Sequence, residues 1–247
     1  MKQKPVIQNP ALCRQLLIEW YHSPQGANLR TLESDYLSRA VSFRYNQDIL
    51  QIGSLGWEND YRDQDCRHRF MVVDRALLAD SSTLRIIARC DQIPVESESV
   101  DAVIIPHCLE FETDPHGVLR EAERVLKPEG QFILLGFNPW CLQSLYHFRQ
   151  GRRGMVPWCG NFLSYPRMRD WLSLLNFEHS LKSGVYFRQS CAEVASGSKT
   201  LRRFTAVGYG IKAIKRRYTL IPLKEAKAMR RNLIPADIAT TRYRSHG

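Results

Sequence analysis

Four short apolar runs constrain the fold of this chain more than any other feature: Ile49-Leu50-Gln51-Ile52, Phe70-Met71-Val72-Val73, Ala102-Val103-Ile104-Ile105 and Phe132-Ile133-Leu134-Leu135. A strand with one wet face alternates apolar and polar residues. A strand covered on both faces needs apolar side chains at nearly every position, and that is the signature of a buried parallel sheet. A weaker fifth run, Leu84 to Ala88, lies between the second and third. Between the third and fourth runs, Val118, Leu119, Ala122, Val125 and Leu126 make one helical stripe. Asp114 can cap that helix, Pro115 suits its first turn, and Lys127-Pro128-Glu129-Gly130 stops it. Strand–helix–strand alternation requires parallel crossovers. The expectation is an α/β fold: a Rossmann-like, open, mostly parallel sheet of about seven strands with helices on both faces.

The flanks add detail. Leu16, Leu17 and Trp20, then Leu32, Tyr36, Leu37 and Val41, predict two N-terminal helices broken at Ser23-Pro24-Gln25-Gly26. A helix is predicted over 166–175, strands over 177–187 and 204–214, and a short basic helix over 223–231. The predicted organisation is an N-terminal helical extension (1–45), a central domain (46–216) and a basic tail (217–247). The 247 residues carry a net charge of +10. From Lys199 onward 13 bases face two acids, so the body is near neutral. A basic tail can touch nucleic-acid phosphates; it can also be a solvated surface. The polar start, Met1 to Asn9, and the lack of any apolar run near 20 residues predict a cytoplasmic protein with no membrane span. Seven cysteines with no Cys-x-x-Cys pair predict reduced thiols and no metal site.

Ligands of an open parallel sheet sit at the carboxyl ends of its strands. After the first run comes Gly53-Ser54-Leu55-Gly56-Trp57, and after the second comes Asp74. Glycines permit close backbone approach, and a carboxylate can accept both hydrogen bonds of a ribose diol. Further on stand Ile93-Pro94-Val95, Ser99-Val100-Asp101-Ala102-Val103, His107-Cys108-Leu109-Glu110-Phe111 and Arg124-Val125-Leu126-Lys127-Pro128-Glu129-Gly130. In order and spacing these segments resemble class I S-adenosylmethionine-dependent methyltransferases of the type 11 group. The resemblance runs from about Asp48 to Phe137 and is closest from Ile93 to Gly136.

That resemblance implies S-adenosylmethionine as cofactor and methyl transfer to a small acceptor. By position, Gly53, Ser54 and Gly56 would wrap the methionine part, Asp74 would hold the ribose, and Asp91, Gln92 and Ile93 would line the adenine. Pro106 would border the cofactor. His107, facing the acceptor, is the candidate general base, with a packed or capping histidine as the plainer reading. The chain also departs from the family pattern. Gln51 stands for the usual acid, Leu55 and Trp57 for two glycines, and Arg89 for the usual aspartate. These departures keep open a fold retained for binding or scaffolding, and the basic tail alone suggests a third reading, an RNA-directed enzyme or RNA-binding protein. The segment 138–165, with Trp140, Tyr146, Phe148, Trp158 and Phe162 beside Arg149, Arg152 and Arg153, is expected to select a flat or apolar acceptor bearing an acidic group.

Overall fold

The structure is a computed structural model and describes residues 10–41, 46–62, 69–74, 84–149, 160–188 and 205–216. The chain falls into two units, Met1–Arg217 and Tyr218–Gly247. The second unit lies outside the described residues, as do the predicted helix over 223–231, Arg152, Arg153 and Trp158.

Helices α1 (Pro10–Tyr21) and α2 (Pro24–Ala40) come first. Ser23 separates them and caps α2, accepting from the Gly26 amide, with Pro24 in the first turn. The strands are β1 (Asp48–Ile52), β2 (Arg69–Asp74), β3 (Leu84–Ile87), β4 (Val100–Pro106), β5 (Leu126–Phe137), β6 (Phe177–Arg188) and β7 (Ala206–Lys215). Three further helices are α3 (Pro115–Val125), α4 (Leu142–Arg149) and α5 (Tyr165–Leu174), and Glu58–Asp60 forms a short 3-10 turn. The seven strands form one sheet in the order β3-β2-β1-β4-β5-β7-β6. The first five pair in parallel and β7 runs antiparallel to both its neighbours. The expected sheet is therefore the observed one. Helix α4 is an element that the sequence pattern does not predict.

The unbroken apolar runs have a direct explanation. Leu50, Ile52, Val103, Ile105, Phe132 and Leu134 pack on one face against Val118, Leu119 and Ala122 of α3 and Met168 and Leu172 of α5. Ile49, Ile104, Ile133 and Leu135 pack on the other, against Leu17 and Tyr21 of α1 and Leu29 and Leu37 of α2. Alternate residues thus serve two cores. The N-terminal helices supply one whole layer and bring α1 against the glycine loop. No helix among the described residues is long and apolar enough to cross a membrane.

Candidate functional site

The turn after β1 meets the end of β2. The Gly53 amide donates to Val73 O at 2.8 Å, and the Ser54 amide to Asp74 Oδ2 at 3.0 Å. Gly53 adopts φ +92°, where a side chain is strained. A Cβ there would lie 3.1 Å from Cys108 Cβ and 3.2 Å from Arg14 Cζ. Gly53, Ser54 and Asp74 therefore converge, and the side chain over them is an arginine from α1.

Arg14 is buried, and its guanidinium is ringed by acceptors. Nη1 donates to Asp74 Oδ1 at 2.7 Å. Nη2 donates to Glu112 Oε1 at 3.1 Å, Cys108 Sγ at 2.7 Å and Cys90 Sγ at 3.6 Å. Burial alone would lower its pKa, but Cys108, Asp74, Cys90 and Glu112 together hold it above its ordinary value. The cation is thus permanent and supplies the counter-charge that makes two buried carboxylates tolerable.

The altered loop residues have structural work. Leu55 and Trp57, where the family carries glycine, are buried in the core that holds Leu17 and Tyr21. Trp57 meets Tyr21 edge-on at 5.5 Å. Gln51 is buried and donates to Gly53 O at 2.7 Å and to Glu58 Oε1 at 3.1 Å. That same Glu58 oxygen accepts from the Leu55 and Gly56 amides at 2.7 and 3.2 Å and from Ser54 Oγ at 2.8 Å. An internal carboxylate thereby engages the loop donors, and the bulky side chains dock α1.

The remaining predicted cofactor residues divide. Ile93 and Pro106 are buried. The Ile93 amide donates to Glu121 Oε2 at 3.1 Å. Gln92 is exposed, and Asp91 is half-buried and held by Arg89 through contacts of 2.9 and 2.6 Å. The departure at Arg89 is thus matched by an acid two residues on.

His107 belongs to a second buried cluster, under α2. It follows β4 at φ +45°. Its Nε2 lies 2.9 Å from Glu33 Oε1, and its Nδ1 is 3.6 Å from Glu110 Oε1. Tyr21 Oη donates to Glu33 Oε2 at 2.7 Å, and the Phe137 amide to Glu110 Oε1 at 2.8 Å. Burial would lower the His107 pKa, but the two carboxylates outweigh it and push it up to about 9. Glu110 Oε2 and His107 Nδ1 have no hydrogen-bond partner among the described residues. Phe137 lies 4.0 Å from the imidazole and stacks on Phe162 at 5.1 Å. Phe162 in turn lines a surface groove of about 310 Å³ with Pro139, Trp140, Leu145, Ser164 and Arg167.

A methyltransferase-domain family model matches residues 65–134. Similar solved structures include an S-adenosylmethionine-dependent methyltransferase of Thermotoga maritima, described as a possible histamine N-methyltransferase (TM-score 0.57, 14% identity, 83% of this chain and 100% of that one). Another is geranyl diphosphate C-methyltransferase of Streptomyces coelicolor, solved with Mg2+, geranyl diphosphate and S-adenosyl-L-homocysteine (TM-score 0.54, 12% identity, 75% of this chain and 79% of that one). This chain carries the class I methyltransferase fold. Among curated proteins, the uncharacterized protein YafS of Escherichia coli K12 is 31% identical over 159 residues. That match spans 64% of this chain and 64% of YafS.

Arg14, Glu33, Glu58, Cys90, Glu110 and Glu112 of this methyltransferase fold were not among the residues expected from sequence. Two of them left a signal. Arg14 shares a helical stripe with Leu17 and Tyr21, and Glu33 sits midway between Leu29 and Leu37. A charge on an otherwise buried stripe needs a buried partner.

Proposed function

We propose that this chain is an S-adenosylmethionine-dependent methyltransferase acting on a small acceptor that is flat or apolar and bears an acidic group. The observation that carries the cofactor reading is the convergence of Gly53, Ser54 and Asp74 at the carboxyl ends of β1 and β2. A glycine at positive φ faces a buried aspartate there, and the space between them already accommodates a cationic side chain. The acceptors Asp74 and Glu112 suit a ligand with a hydroxyl pair and a positive centre, so the residues fit the cofactor once Arg14 yields its place. Asp74 would hold the ribose hydroxyls, Gly53 would let the backbone come close, and Ile93 and Pro106 would give apolar walls. S-adenosylmethionine supplies a methyl group already activated on a sulfonium. What the chain must contribute is alignment and a dry site. Helices α1 and α2, which cover both buried clusters, supply the dryness.

Titration calorimetry with S-adenosylmethionine and S-adenosylhomocysteine tests the reading. Binding by the wild-type chain is expected. Asp74→Asn should weaken it by roughly tenfold to a hundredfold, the value of about 1.5–3 kcal/mol for a hydrogen bond to a charged group. A wild-type chain that binds neither ligand favours the second reading, a methyltransferase fold kept as a binding or scaffolding module. The internal pairing of Asp74 with Arg14 and of the loop amides with Glu58 is the observation that supports that alternative.

The acceptor reading rests on the groove of Trp140, Leu145 and Phe162 with Arg167 at its edge. Trp140 is 52% exposed, unusual for so large an apolar side chain outside a binding surface. Through Phe162 and Phe137 the groove connects to the His107 cluster. Once an acceptor is in hand, Arg167→Ala and Trp140→Ala should each raise its KM about tenfold and leave cofactor affinity unchanged. Unchanged KM in both would remove the groove from the acceptor site.

A further inference from the structure

Cys90 and Cys108 form a buried thiol pair beside Arg14. Cys90 sits in the turn after β3, and Cys108 two residues beyond β4. They are far apart in sequence, but their sulfurs and a Glu112 carboxylate oxygen all lie within 4.8 Å of one another. Both cysteines are buried, and both sulfurs accept from the same Arg14 nitrogen, at 3.6 and 2.7 Å. Packing alone asks for small apolar side chains here. A permanent cation on two adjacent thiols is what a reactive thiolate asks for.

We propose that Cys90 and Cys108 are a reversible oxidation site, closing to a disulfide in reaction with a hydroperoxide. The roles within the pair also follow. The Cys108 thiol donates to Cys90 and draws the Cys90 pKa below its ordinary value, with Arg14 acting in the same direction; burial pushes Cys108 up. Cys90 is therefore the nucleophile and Cys108 the resolving thiol.

The Cys90 thiolate attacks the terminal peroxide oxygen, the O–O bond breaks, and hydroxide or alkoxide leaves. Cys90 becomes a sulfenic acid. Cys108, giving up its proton, attacks the Cys90 sulfur; the S–S bond forms as the S–O bond breaks, and water departs. The pair loses two electrons, and the peroxide gains them. A disulfide brings the two sulfurs, now within 4.8 Å, to about 2.05 Å. A small neutral oxidant fits a pair that α1 shields from solvent. The disulfide consumes both sulfur acceptors of Arg14, so oxidation loosens the contact between α1 and the cleft.

The test uses the full chain, folded and reduced, with hydrogen peroxide as probe. After oxidation, remaining thiols are alkylated and the seven cysteines are mapped by peptide mass spectrometry. The expected product is a Cys90–Cys108 cross-linked peptide lighter by two hydrogens, formed before Cys13 and Cys141 oxidise and reversed by dithiothreitol. In Cys108→Ser, Cys90 should become trappable by dimedone; in Cys90→Ser, Cys108 should not. If Cys90 and Cys108 stay alkylable after native oxidation while other cysteines react, or cross-link to other cysteines instead, the proposal is overturned. The wild-type map decides even where a serine variant fails to fold.

Discussion

Arg14→Met is expected to bind S-adenosylmethionine about tenfold to a hundredfold more tightly than the wild-type chain while being markedly less stable without it. The two effects share one cause. In the folded chain Asp74 already holds a charge-assisted hydrogen bond from Arg14, at 2.7 Å and in a buried setting. A ligand that takes Asp74 must first break it, at a cost of about 1.5–3 kcal/mol. Methionine keeps the apolar stem and removes the competitor. The same substitution strips the counter-charge from Asp74 and Glu112. Breaking a buried ion pair from one side costs roughly 3–5 kcal/mol, because the remaining charge is uncompensated. Thermal unfolding with and without ligand reads both effects: a lower midpoint alone, and a larger upward shift on saturation than in the wild type. Weaker ligand binding by Arg14→Met would mean that the guanidinium holds the cofactor and does not compete with it.

The sheet was legible in the sequence because its physics is local. A strand buried on both faces leaves an apolar run, and β1, β2, β4 and β5 each did so. The helix α3 showed its stripe, its Asp114 cap and its stop. Helix α4 shows no such stripe: Leu142, Leu145 and Tyr146 are exposed and the buried Ser144 is polar. The glycine loop and Asp74 were legible by their place after strands. The contents of the cleft were not. Arg14 lies 60 residues from Asp74 and 98 from Glu112, and nothing in spacing announces a contact that only the packing of α1 creates. Read alone, Leu55 and Trp57 suggest loss of a binding loop. In the folded chain they are anchors for the helix that brings Arg14. The departures from the family pattern and the closed cleft are thus one feature.

The buried histidine makes the sharpest prediction about pH. Its pKa is raised from 6.5 to about 9, so the folded chain holds a proton that the unfolded chain releases. A group with a raised folded pKa contributes its full stability below the unfolded value and loses it as pH rises through the folded value. The window is therefore about pH 6.5 to 9, and a shift of this size corresponds to roughly 3 kcal/mol. Urea unfolding across that range should show wild-type stability falling as pH rises. Glu33→Gln keeps the shape and the acceptor for Tyr21 but removes the charge that does most to raise the His107 pKa. Its stability should be lower at pH 6.5, and the decline attributable to His107 should move to lower pH or vanish. His107→Gln should lack the same component, which separates it from other groups titrating in the range. Catalysis has a matching signature. At neutral pH the imidazolium can donate a proton but cannot accept one, so a role for His107 as general base requires methyl transfer to rise with pH through about 9. In Glu33→Gln that rise should begin at lower pH. Identical pH profiles of stability and rate in the wild type and Glu33→Gln would mean that Glu33 does not control the His107 proton.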